Sequence, residues 1–274
     1  MAMTAYPSLN PVSGAGHTKG AYVQIVASTP YDSSRVFLIA EFGSTGTQRY
    51  YLMDLATGGA GSETVIVANI AVHVDLDQIA SMFIPLNVQI PAGTRLSIRA
   101  QCNLATSGIT VHVYLDDRAL ASLVNPATYG PDTATSRGTI VDPGGTASTK
   151  GSYVQLTAST ATRIDTAVLC LTHDPTSTTI ASGSRWSIDV ATGAAGAESI
   201  ILPDLTVAGN SITTAVRPGF LYFPVSIAAG TRIAVRCNCN LTTSTTRKIC
   251  VTLIGMQEPP STGSSREVSV AVSG

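Results

Sequence analysis

Charge is scarce in this chain of 274 residues: Asp, Glu, Lys and Arg together supply 12% of it, where a soluble domain ordinarily has roughly 25%. Net charge is -1 and Lys and Arg form no run, so the basic footprint of a nucleic-acid binder or an anionic-membrane binder is missing and neither partner is expected. Aromatic residues are few, at 5%, with a single tryptophan. The five cysteines, Cys102, Cys170, Cys237, Cys239 and Cys250, are an odd number and do not suit a disulfide framework, so synthesis in the cytoplasm with free thiols is expected. The start, MAMTAYPSLNPVSG, has no basic cluster followed by an apolar stretch, and no segment approaches the ~20 apolar residues of a membrane span. Ser, Thr, Gly and Ala fill the places that charges leave, which makes a surface that is polar without being charged.

What the chain has is a repeat. KGAYVQIVAST from Lys19 returns as KGSYVQLTAST from Lys150, DLATGGAGSE from Asp54 as DVATGAAGAE from Asp189, and AGTRLSIRAQCNL from Ala92 as AGTRIAVRCNCNL from Ala229. Three blocks in one order are two copies of one unit. The offset between copies widens from block to block, so the insertions lie in loops and each copy is a complete fold. The organisation expected is an N-terminal arm over residues 1–16, copy one over 17–117, a linker over 118–147, copy two over 148–256 and a C-terminal arm over 257–274. The linker assignment rests on Pro126, Pro131, Pro143 and the pair Gly144-Gly145, which read as extended chain.

The blocks alternate with period two. Leu96, Ile98, Ala100, Cys102 and Leu104 share one face, and Arg95, Ser97, Arg99, Gln101 and Asn103 the other, as in a half-buried strand. Copy two repeats this with Ile233, Val235, Cys237, Cys239 and Leu241 inside. Val111, Val113 and Leu115, matched to Ile249, Val251 and Leu253, close each copy. Seven or eight short strands in about 100 residues, without an amphipathic helix, predict an all-β fold of two tandem antiparallel β-sandwiches. A jelly roll is the preferred topology and an immunoglobulin-like order the second choice.

Motifs for chemistry are weak. The glycine-rich approaches to Lys19 and Lys150 lack the Ser or Thr and the helix that a phosphate loop needs. His73, Asp75 and His112 resemble a facial triad for iron, but copy two has no such set. No G-x-S-x-G occurs, and Cys237 and Cys239 occupy core positions, as small hydrophobes do. The polar residues shared by both copies are Asp54, Glu63, Arg95 and Arg99 with Asp189, Glu198, Arg232 and Arg236. Their expected role is to brace loops and strand ends, with a calcium site or a sugar-binding edge as the functional alternatives. No catalytic residue, metal or cofactor is expected, and the chain reads as not an enzyme.

On the blocks KGSYVQLTAST, IDVATGAAGAE and IAAGTRIAVR the chain resembles small virion structural proteins of tailed bacteriophages, over both copies but not the linker or tails. The resemblance implies a β-sandwich displayed on the particle, as a capsid decoration or head-fibre protein or as part of the tail and its adhesion device. Its implied partners are other virion proteins and further copies in a symmetric homo-oligomer. A carbohydrate-binding module for host glycans is the alternative, and it would need exposed aromatics; Trp186, in register with Tyr51, reads as core. A double-jelly-roll shell protein fits less well because each unit is short. In the C-terminal arm Val268, Val270 and Val272 alternate as a strand would, and are expected to add to a sheet edge of a neighbouring subunit.

Overall fold

The computed structural model describes residues 3–42, 49–74, 80–116, 126–130, 137–173, 184–210, 215–217, 220–241 and 247–257. All regular structure among these is β. The first unit has β1 (Met3–Ala5), β2 (Val23–Val26), β3 (Ser33–Phe42), β4 (Arg49–Thr57), β5 (Thr64–Val74), β6 (Ala80–Ile90), β7 (Leu96–Cys102) and β8 (Thr110–Asp116). The second has β9 (Ala127–Tyr129), β10 (Thr139–Val141), β11 (Val154–Thr157), β12 (Ile164–His173), β13 (Arg185–Thr192), β14 (Ser199–Asn210), β15 (Ala215–Arg217), β16 (Phe220–Ile227), β17 (Ile233–Cys239) and β18 (Ile249–Met256).

In the first unit the sheets run β1-β8-β3-β6 and β2-β7-β4-β5, all antiparallel. An eight-strand chain folded with its first strand beside its last, and its second beside its seventh, is a jelly roll. The second unit repeats it as β10-β18-β12-β16 and β11-β17-β13-β14, with β15 added beside β14. An immunoglobulin-like order does not fit these neighbours.

Alternation supplies each core. Val36, Leu38 and Ala40 from one sheet meet Met53, Leu55, Ile98 and Ala100 from the other. In the second unit Leu169, Leu171, Val251 and Leu253 meet Trp186, Ile188, Val235 and Cys237. Trp186 is fully enclosed, and its indole N–H donates to Arg247 O at 2.9 Å; Tyr51 in the same place donates its hydroxyl to Gly108 O at 2.7 Å. A buried aromatic with a polar tip needs such a partner.

Two turns of the same shape join β4 to β5 and β13 to β14. Gly58 and Gly193 have φ of 102° and 103°, and a Cβ on either would come within 2.9 Å of a backbone oxygen, Ser62 O or Ala197 O. Only glycine takes that backbone without strain, so the A-T-G motif is a requirement of the turn.

Three expectations are corrected. The stretch from Arg118 to Ala147 is not simply a linker: β9 and β10 lie within it and pair with Leu253, Ile254 and Gly255, and with Ile249, Cys250 and Val251, of β18. Nor is the N-terminal arm outside the fold, because β1 pairs with β8 and Leu9 and Val12 bridge to Val111 and Gly108. Proline and glycine density marks extended backbone, and an edge strand is extended backbone too. Finally, Phe37 pairs with Tyr114 as Val168 pairs with Ile254. Val111 and Val113 therefore correspond to Val251 and Leu253, two residues along from the match made on sequence. A shift of two keeps every side chain on its own face, which is why alternation did not reveal it.

The two units meet through unlike surfaces. Val168, Cys170, Ile254 and Met256 project from the outer face of β12 and β18 and join the first unit's core cluster. What they cover is the paired edge formed by β5 and β6. The Ala68 N–H donates to Thr128 Oγ1 at 3.1 Å, the Asn87 N–H to Met256 Sδ at 3.4 Å, and the Ala71 N–H to the Cys170 sulfur. Tyr222 donates to Pro85 O at 3.1 Å. A strand edge has an unpaired row of donors and acceptors, and here side chains of the second unit satisfy it. Residues Val67 to Val72 are consequently buried without a break.

The same edge in the second unit is built differently, with Pro203, Asp204, Thr206 and Pro224 exposed. By register Ala68 corresponds to Pro203 and Asn87 to Pro224. Proline has no N–H, so two of the donors that need covering in the first unit do not exist in the second. Edge prolines block strand addition. The double substitution Pro203→Ala with Pro224→Asn is expected to restore a pairing edge and to produce, in sedimentation velocity, species that grow with concentration beyond the largest the parent chain forms.

Candidate functional site

The eight shared acids and arginines fall into two groups in each unit. The first lies at the β4–β5 turn. Arg95 Nη1 donates to Glu63 Oε1 and to Gly58 O, both at 3.0 Å, and Arg95 Nε to Gln24 Oε1 at 3.0 Å. Arg232 makes the same set: Glu198 Oε1 at 3.1 Å, Gly193 O at 3.0 Å and Gln155 Oε1 at 3.0 Å. Glu63 and Glu198 reach back to the N–H groups of Gly61 and Gly196 at 3.0 Å each. One guanidinium thus ties a strand, a turn carbonyl and a carboxylate, using the fork of donors that lysine lacks.

The second group is a knot on the outer face of β4 and β7. Asp54 Oδ1 accepts from Lys19 Nζ at 2.7 Å and from the Asn69 N–H at 3.0 Å, while Oδ2 accepts from Arg99 Nε at 2.7 Å. Asn69 has φ 54°, the bulge that turns its N–H toward the carboxylate. Arg99 also lies over the Tyr22 ring, 4.6 Å from its centre. The second unit holds Lys150, Asp189, Arg236 and Tyr153 in the same arrangement, with the Asp204 N–H at 3.0 Å from Asp189 Oδ1 and Asp204 at φ 51°. Lysine and aspartate never lie so deep in a sandwich unless paired.

Sequence reasoning did not find Lys19, Lys150, Tyr22 or Tyr153 as members of these knots. The signal was present, since all four lie in the block KG-x-YVQ that both copies keep. The glycine after each lysine has its own cause: a Cβ on Gly20 would strike Val12 O, and one on Gly151 would strike Asp142 O. The chain crosses itself there, and the lysine beside the crossing drops onto the aspartate.

The knots differ in exposure. In the first unit both Lys19 and Asp54 side chains are wholly enclosed. In the second, Ser187 replaces Leu52 and Asp204 replaces Asn69, and the Asp204 side chain is 74% exposed. Lys150 Nζ donates to Ser187 Oγ at 3.0 Å and lies 2.9 Å from Asp204 Oδ1, and Ser187 Oγ donates to Asp204 Oδ1 at 2.6 Å. Lys150 Nζ thus meets Ser187 Oγ, Asp189 Oδ1 and Asp204 Oδ1 together, and the Ser187 hydroxyl is held toward Asp204.

Other candidates separate. His73 is on β5 opposite Tyr50, in one sheet, and His112 is on β8 opposite Ile39, in the other. His112 Nε2 lies 3.1 Å from Glu41 Oε2. Asp75, Val268, Val270 and Val272 lie outside the described residues. All five cysteines are buried free thiols, and burial pushes Cys170 and Cys237 up to about 12. Among the described residues no group of three or more His, Cys, Asp or Glu is placed to hold a metal ion, and no helix is long and apolar enough to cross a membrane.

The fold and these sites define a protein of two jelly-roll β-sandwiches. No protein family matches the chain, and no curated protein matches it. Among solved structures it is similar to PNGF-II, with 9% identity and a TM-score of 0.45 over 93% of this chain and 66% of that one. The chain therefore spans just under two thirds of PNGF-II. It is also similar to a chain of the Sulfolobus Turreted Icosahedral Virus (6% identity, 94% of this chain, 91% of that one, TM-score 0.45). A third is PNGase F, a glycosylasparaginase from Flavobacterium meningosepticum (9% identity, 92% and 96%, TM-score 0.39). The expectation that the chain is not an enzyme is corrected by these neighbours, since an enzyme stands among them, and that exclusion is withdrawn.

Two outcomes follow from the knots. Lys19→Met leaves Asp54 enclosed with one partner fewer and is expected to lower unfolding free energy by about 3–5 kcal/mol, read by urea denaturation; Lys150→Met, at the open knot, costs less. Burial alone would raise the Asp189 carboxyl, but the Asp204 N–H, Lys150 and Arg236 outweigh it and hold it below the usual 3.8. A lowered folded-state value means stability that is present above the ordinary carboxylate range and lost as pH falls through the folded value. Thermal midpoints measured downward from pH 5 should fall in the parent, and less steeply in Asp189→Asn.

Proposed function

We propose that the chain is a structural component of a virus particle, in the first place a capsid decoration or head-fibre protein of a tailed phage, and in the second a part of its tail or adhesion device. The observation that carries this is the junction between units. Two sandwiches are locked edge to face by Val168, Cys170, Ile254 and Met256, and hydrogen bonds to backbone groups of β5 and β6 fix their register. A rigid pair of this kind is a building block. The weakly charged surface supports repeated packing against neighbours without accumulating like-charge repulsion. The likeness of the repeated blocks to small virion structural proteins supports the same setting.

A sugar-binding role needs exposed aromatics. Trp186 is enclosed, and Phe37, Phe83 and Tyr114 stand together on the outer face of β3, β6 and β8. The matching face of the second unit is the one that packs on the first. That precedent favours protein over glycan as the occupant.

The test is co-purification. Particles banded on a density gradient from a culture carrying the gene should contain the chain in a fixed ratio to the major shell protein by quantitative mass spectrometry, and gold-labelled antibody should mark the head. Label on the tail selects the second placement; recovery of the chain only in the soluble fraction sinks both.

A further inference from the structure

The outer face of β8, β3 and β6 carries an apolar patch that, among the described residues, its own unit leaves exposed at Phe83. Phe37 and Phe83 stack with ring centres 5.5 Å apart, Ile39 lies opposite Phe83, and Tyr114 lies opposite Phe37. Phe83 is 59% exposed. An aromatic group of this size on a chain so poor in aromatics is out of place in water, and such patches mark contact surfaces.

The repeat shows what this face is for. Its register equivalents in the second unit include Val168 for Phe37, Cys170 for Ile39 and Ile254 for Tyr114. Those three are buried against the first unit. One copy of the face is therefore already an interface, and the other copy carries bulkier side chains, with Phe83 exposed at its centre.

Two arrangements of a second chain could cover it. In a head-to-tail arrangement the patch would sit on the β14 and β16 edge of the next chain, repeating the step made within one chain. That edge has Pro203 and Pro224 at the places where donors are needed. It also has exposed Thr206 in place of buried Ala71, and Asp204 in place of Asn69. It is shaped as an end. The remaining complement on a second copy is the patch itself. The face carries Arg35 opposite Asp116 at one end of β3 and Glu41 with His112 at the other, and an antiparallel pairing about a two-fold axis brings Arg35 of each chain toward Glu41 of its partner. An isologous contact of this kind closes after two chains.

We infer that the chain forms a two-fold dimer through the outer face of β8, β3 and β6, with Phe37, Ile39, Phe83 and Tyr114 at its centre. The inference stands apart from the particle role: absence of the chain from particles leaves the dimer standing, and a monomeric chain leaves the particle role to be decided by its own experiment.

The test uses the full chain and single cysteines, since all five native thiols are buried. Sedimentation velocity across a hundredfold range of concentration should show a dimer. Ile39→Cys alone, treated with a short bis-maleimide, should give a cross-linked dimer, because a two-fold axis brings each β3 near its own copy. Thr206→Cys alone should stay monomeric on a denaturing gel, as should its mixture with Ile39→Cys apart from the Ile39 homodimer. Phe83→Asp, at a position 59% exposed and checked for a thermal midpoint equal to the parent's, should shift the sedimenting species to monomer. A cross-link joining Ile39→Cys to Thr206→Cys would establish head-to-tail packing and overturn the two-fold. So would a monomer at every concentration, or a Phe83→Asp chain that still dimerises. Binding of the monomer to a glycan array, lost in Phe83→Asp, would assign the patch to sugar and overturn the dimer.

Discussion

A sandwich of two open sheets ends in strands that are hydrogen-bonded on one side only, and much of this molecule is arranged around that deficit. The first unit leaves β5 and β6 unpaired at the same end. Their free N–H groups cannot be buried without partners, because each orphan costs on the order of 1–3 kcal/mol. The second unit supplies those partners from side chains, Thr128, Cys170 and Met256, and surrounds them with apolar contacts. At the other end of the chain the deficit is met by prolines that remove donors and by β15, which pairs with Ala208 to Asn210 of β14.

The charged knots are the second constraint, and they depend on the first. Lys19 and Asp54 lie on the sheet whose edge the second unit covers, and they are enclosed. Lys150 and Asp189 lie on the uncovered sheet and are joined by Ser187 and Asp204, which face water. Identical pairs under unlike cover show how the copies have diverged. The chemistry that fixes the lysine to the aspartate is unchanged, and the side chains around it follow the dielectric in which each knot sits.

Much of the fold was legible in the sequence because a strand's inward and outward residues alternate and because two copies gave two readings of each face. Leu96 to Cys102 and Ile233 to Cys239 agreed on which side was core, and the sheet order followed the jelly-roll expectation. The acids and arginines stood out by being kept in both copies. Their partners did not. Lys19 pairs with Asp54 across 35 positions and Arg95 with Glu63 across 32, and nothing local in a sequence states which strand will lie beside which. The meeting of the units was hidden for a different reason: Cys170, Ile254 and Met256 are outward residues of strands that alternate correctly, and only a second body makes an outward residue buried. The exclusion of catalysis was an argument from missing motifs, and motifs record known solutions only.

The prolines at 203 and 224 give the duplication a direction. Two copies of one sequence begin as interchangeable parts, and these have ceased to be. A gene carrying the first unit twice would end in an edge with donors and no cover; one carrying the second unit twice would place prolines where Thr128 and Met256 seek an N–H. The order of the units along the gene is thus fixed by hydrogen bonding. Recombination that exchanged or multiplied them would be read at the level of folding, before any question of what the protein does.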